Sequence, residues 1–133
     1  MTSQTTVAPF LMFEGNAEEA MNFYVSAIPD SRVIDIRRYG ADGPGTEGSV
    51  MLATFSLAGL TVMCIDSSVK HAFSFTPSVS LFVTCKTEEE ISRIAATLSQ
   101  DGGILMPLDN YGFSRKFTWL NDRFGVSWQL NLP

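Results

Sequence analysis

Apolar positions along this chain change their period several times, and each change marks an element. Val7 to Phe13 is a compact apolar run that Gly15-Asn16 ends. Asn16 followed by Glu19 has the spacing of a helix N-cap with a capping box. Behind it Ala17, Ala20, Met21, Tyr24 and Ile28 recur on one helical face, and Pro29 closes the segment. Arg32 to Tyr39 returns to a β-branched pattern, followed by a glycine-rich loop from Gly40 to Gly45. Val50 to Leu57 and Leu60 to Asp66 flank Ala58-Gly59, the mark of a tight hairpin.

The second half repeats this order. Ser78 to Thr84 reads as a strand, and Thr87 with Glu90 three residues later reads as a helix cap. Ile91, Ile94, Ala95 and Leu98 then share one helical face, and Asp101-Gly102-Gly103 stops it. Ile104 to Leu108, Phe117 to Asn121 and Val126 to Leu132 supply three more strands, with a turn at Asp122-Arg123-Phe124-Gly125. An offset of 70 superposes Glu18-Glu19 on Glu88-Glu89, Met21 on Ile91, Tyr24 on Ile94 and Ile28 on Leu98. An offset of 66 superposes Gly59-Leu60-Thr61-Val62 on Gly125-Val126-Ser127-Trp128. The chain is therefore a duplication. It predicts one α+β domain over 1–133 made of two tandem βαβββ modules, about 7–66 and 78–132, joined by a connection at 67–77.

Alternation assigns the faces. Val126, Trp128, Leu130 and Leu132 share one side of the last strand, and Ser127, Gln129 and Asn131 share the other. Val79, Leu81 and Val83 likewise oppose Ser78, Ser80, Phe82 and Thr84. The apolar sides should meet the helices. The mixed sides of a mainly antiparallel sheet are left to curl into a concave cavity, the common form of a ligand site.

Composition narrows the function. A formal charge of −5 and a pI near 4.7 argue against a nucleic-acid partner, since only Arg37-Arg38 and Arg115-Lys116 form basic pairs. The same charge favours a cationic ligand. Cys64 and Cys85 form no C-x-x-C and read as buried free thiols of a cytoplasmic protein. The start, Met1 to Thr6, has no basic and apolar leader pattern, and no apolar run is long enough to span a membrane.

Four segments make the chain recognisable: Pro9 to Tyr24, His71-Ala-Phe-Ser-Phe75, Ser80-Leu-Phe-Val-Thr84 and Trp119 to Gln129. They resemble the PhnB-like family, also labelled the 3-demethylubiquinone-9 3-methyltransferase domain. That family lies within the glyoxalase/bleomycin-resistance/dihydroxybiphenyl-dioxygenase, or vicinal-oxygen-chelate, superfamily. The resemblance implies a U-shaped sheet around a cavity, usually in a homodimer. In the superfamily's metalloenzymes it also implies a divalent metal held by four side chains on matching strands. Those positions fall here on Pro9 (or Phe10), Met63, Ser80 and Gln129. Pro and Phe have no donor, Met63 is a soft thioether, Ser80 is neutral, and Gln129 offers one uncharged oxygen. The expectation is a protein with no catalytic metal. No strand, glycine loop and helix combine as a dinucleotide-type cofactor site, and Gly43-Pro44-Gly45 precedes an extended segment, so no cofactor is expected.

His71 is the only histidine and the one candidate general base, with Asp66 the nearest carboxylate to orient it. The cavity is expected to use Met63, Ser80, Phe82 and Gln129, with Phe73 and Phe75 from the connection. Tyr111 and Phe113 form a lid, while Trp128 packs in the core. Two functions follow. One is a metal-independent binding protein for a small organic, partly aromatic molecule, as in bleomycin-resistance relatives. The other is a superfamily-type lyase, isomerase or dioxygenase.

Overall fold

The computed structural model describes residues 4–133, so the polar start Met1-Thr2-Ser3 lies outside the described residues. The chain divides after His71 into two compact units. The first contains β1 (Phe10–Phe13), α1 (Ala17–Ala27), β2 (Arg32–Arg38), β3 (Val50–Leu57) and β4 (Leu60–Asp66). The second contains β5 (Ser80–Thr84), α2 (Glu88–Leu98), β6 (Gly103–Asp109), β7 (Lys116–Asn121) and β8 (Ser127–Leu132). Each is a βαβββ module, so the duplication expected from the two offsets is present in the fold.

In the first unit the strand order is β1-β4-β3-β2, with β1 parallel to β4 and the other neighbours antiparallel. The β3–β4 hairpin turns through Ala58 at φ +49° and Gly59 at φ +96°. Positive φ at both central residues is the two-residue turn whose twist matches its strands. Helix α1 buries Ala17, Ala20, Met21 and Tyr24 against β3, β2 and β4. Ile28, expected on the helix, lies just past its end in extended conformation and is buried there.

The start of α1 corrects the capping-box expectation. The Asn16 side chain makes no capping hydrogen bond. Instead Gly15 N–H (2.8 Å) and Ala17 N–H (2.9 Å) donate to Asp66 Oδ1, and Val50 N–H (3.0 Å) donates to Oδ2. A buried carboxylate serves these donors better than a neutral amide, because the helix N-terminus carries partial positive charge. Helix α2 follows expectation: Glu90 N–H donates to Thr87 Oγ1 (3.1 Å), and Lys86 N–H donates to Glu90 Oε1 (2.9 Å).

The second unit repeats the sheet as β5-β8-β7-β6, again with a parallel β5–β8 pair. Val126, Trp128, Leu130 and Leu132 are all buried, as alternation requires. Trp128 is a core residue whose Nε1–H donates to Asp122 Oδ2 (2.9 Å). The expected start of β5 at Ser78 moves to Ser80. Val79, expected to face the helix, is 77% exposed because residues 76–79 form a turn, with Val79 N–H donating to Thr76 O (3.4 Å).

Candidate functional site

The register of the second sheet decides which side chains share its open face, the one turned away from α2. Ser80 pairs with Ser127 and Phe82 with Gln129, while Gln129 pairs on its other side with Trp119 and Ser127 with Asn121. Residues paired across a sheet point to the same side. The result is a connected polar patch. Ser80 Oγ lies 2.6 Å from Ser127 Oγ, Gln129 Nε2 donates to Ser80 Oγ (3.3 Å), and Trp119 Nε1–H donates to Ser127 Oγ (2.9 Å).

Aromatic groups flank this patch. Phe82 is 59% exposed beside Gln129. One row further along, Phe117 packs edge-on against Tyr111 and Phe113 at centroid distances of 6.2 and 5.1 Å. Tyr111 and Phe113 stack on one another at 6.4 Å, and the Tyr111 hydroxyl donates to Pro107 O. The two expected lid residues are thus tied to each other and to the open face through Phe117. Phe75 is half-buried close to Gly125, whereas Phe73 stands largely exposed in the connection.

Met63 belongs to the first unit. It lies on the open face of that sheet, between Phe10 and Thr54, with Cys64 buried on the opposite side. Burial, and then the nearby Asp66 charge, push the Cys64 thiol up to about 12. Cys85 rises to about 11 through burial, with Glu90 adding to the effect and Arg93 opposing it. Both cysteines are free and neutral at physiological pH, as expected for inert thiols.

His71 is not oriented by Asp66. The Asp66 carboxylate is occupied by three backbone N–H groups, and His71 Nε2 lies 2.8 Å from Ser67 Oγ. The His71 backbone N–H donates to Glu14 Oε2 (3.3 Å). These contacts border a half-open cavity of about 260 Å3 within the first unit, lined chiefly by Glu14, Thr46, Ser49, Asp66, Ser67 and Ser68. Pro44 and Gly45 close one wall. Gly45 is required there for packing, since a Cβ would come within 2.5 Å of the Tyr39 ring.

Sequence reasoning missed this cavity and the part played by Ser127. The β5–β8 register could have revealed Ser127, which alternation already places beside Gln129. Nothing in the spacing of Glu14, Thr46 and Ser67 signals that they converge.

A family model described as 3-demethylubiquinone-9 3-methyltransferase matches residues 5–131. The chain belongs to this family. Among solved structures it is similar to a PhnB protein from Bacillus cereus assigned to the same methyltransferase name. The two share 59% identity over 97% of this chain and 100% of that one, with a TM-score of 0.94. Protein PA1353 from Pseudomonas aeruginosa shares 23% identity, covering 97% and 98% of the two chains, with a TM-score of 0.83. More distant likeness in fold extends to the fosfomycin resistance protein FosX from Listeria monocytogenes. That structure is a complex with Mn(II) and a dihydroxypropylphosphonic acid, at 12% identity, 98% and 93% coverage and a TM-score of 0.63. No curated protein matches the chain.

The residues of this family member do not fit a divalent metal. Phe10 pairs with Met63, and Phe82 with Gln129, so two of the three candidate donors have an aromatic residue as partner on a neighbouring strand. Ser80 Oγ is already engaged by Ser127 and Gln129. A thioether, a hydroxyl and a carboxamide offer no anionic charge to offset the hydration a divalent cation gives up. Among the described residues, no three His, Cys, Asp or Glu side chains cluster as a metal site.

Proposed function

We propose that this family member is a small-molecule binding protein of the glyoxalase/bleomycin-resistance type that works without a bound metal. The hydrogen-bonded Ser80–Ser127–Gln129–Trp119 patch carries this reading. It offers hydroxyl, carboxamide and indole groups held in fixed positions beside the exposed Phe82 ring. That combination suits a ligand with one flat apolar part and one polar edge. Phe73, Phe75, Tyr111 and Phe113, all of the same unit, complete the proposed lining. The reading also takes the protein to be a cytoplasmic homodimer, consistent with two buried, uncharged thiols.

Thermal-shift measurements with a panel of small aromatic amines and phenols test this reading. A compound present at a hundredfold its Kd stabilises the protein by about 2.7 kcal/mol. Ser80→Trp should remove that shift while leaving the fold intact, read as a cooperative melting transition of the free protein. An identified ligand that stabilises Ser80→Trp as well as wild type rejects this face. Elemental analysis tests metal independence: about one zinc, nickel, manganese or iron per chain, lost together with an activity upon chelation, restores the lyase, isomerase or dioxygenase reading.

A further inference from the structure

We propose that the first unit holds a second, independent site, in which the 260 Å3 cavity beside α1 binds a small primary ammonium compound. Its lining contains two carboxylates, Glu14 and Asp66, and no lysine, arginine or histidine. Asp66 is 3% exposed, and its carboxylate accepts from the backbone N–H groups of Gly15, Ala17 and Val50, none of which carries a full positive charge. A charge held away from water in this way attracts a cation more strongly than a solvated one does.

The start of a helix usually attracts anions, but here that role is filled. Gly15 and Ala17, whose N–H groups would greet an anion, already donate to Asp66 Oδ1. The rest of the lining is rich in oxygen: the Glu14 carboxylate, one oxygen of which accepts from the His71 N–H, and the hydroxyl residues Thr46, Ser49, Ser67 and Ser68. An ammonium group brings three donors and no acceptor, which complements such a lining. A quaternary ammonium would need an aromatic cage instead, and the lining has no aromatic ring. A divalent metal is poorly served, because both oxygens of Asp66 already accept from backbone N–H groups. The volume is below the roughly 300 Å3 at which drug-sized pockets begin, so the ligand is a short amine, best with a hydroxyl of its own.

Titration of the 15N-labelled full-length protein with ethanolamine in phosphate buffer at pH 7, followed by NMR, tests the site, with choline as the control. Saturable shifts are expected for amides near Glu14–Ala17, Thr46–Val50 and Asp66–Ser68, with a Kd of about 1 mM or tighter. Choline should bind at least about tenfold more weakly. Glu14→Gln, at an exposed position and with a carboxamide oxygen that can still accept from the His71 N–H, should weaken ethanolamine about tenfold, the size of one charge-assisted hydrogen bond. Absence of saturable shifts, equal binding of choline, or unchanged binding by Glu14→Gln would each overturn the proposal.

Discussion

At the scale of single residues, Asp66 does more than any other side chain in the first unit, because one carboxylate joins α1, β3 and β4. Asp66→Ala leaves three buried or half-buried N–H groups without their acceptor and should cost about 3 kcal/mol or more in urea unfolding. Glu18 behaves differently. Its Oε1 and Oε2 each accept from the Arg38 guanidinium at 2.7 Å, and this hydrogen-bonded pairing lowers its pKa from the ordinary 4.5. A depressed carboxylate stabilises the fold above its unfolded pKa, and that contribution disappears as pH falls through the folded value. The stability difference between wild type and Arg38→Met should therefore be present at pH 7, shrink below pH 4.5, and shrink also in 0.5 M salt because the pair is exposed. The thiols work in the other direction. Their raised pKa values, about 12 and about 11 against 9.0, make stability fall as pH rises above 9.0. At pH 8 neither cysteine should react with a thiol reagent faster than the native state opens, which a stopped-flow comparison with and without urea will reveal.

At the scale of elements, two helix starts that look alike in sequence are predicted to respond differently. Thr87→Ala removes a real cap and should cost about 1 kcal/mol, whereas Asn16→Ala should stay within about 0.5 kcal/mol. The β3–β4 turn offers the opposite opportunity. Ala58 sits at φ +49°, so Ala58→Asn, which tolerates that region better, should raise the melting temperature by about 2–5 °C. Elements were legible wherever the physics is local. The Ala58-Gly59 hairpin needs only its own two residues, Thr87 finds its donor three residues on, and Val126 to Leu132 displays its faces by alternation alone. What escaped reading is carried by contacts distant in sequence. Asp66 caps a helix 49 residues earlier, displacing Asn16 and leaving His71 to Ser67. Likewise Ser80 meets Ser127 only through a parallel register that spacing does not encode.

At the scale of the whole molecule, the uncovered edge strand β6 bears on assembly. Ile104 is 58% and Leu105 43% exposed there. Apolar edges of this kind are ordinarily hidden by a partner. The proposed homodimer should sediment at twice the 14.6 kDa chain mass at micromolar concentration, and Leu105→Lys should shift it toward monomer if this edge lies within the interface. Another consequence belongs to the order in which the chain is made. Each sheet places its first strand beside its last, so β1 has no neighbour until β4 exists, 53 residues after Phe13 in the case of Asp66. At about 5–20 residues per second, synthesis leaves Phe10 to Phe13 bare for roughly 3 to 10 s, and α1 equally long without the carboxylate that anchors its start. A nascent chain stalled before Cys64 should therefore remain protease-sensitive and bound by chaperones, and one stalled well beyond Ser67 should not.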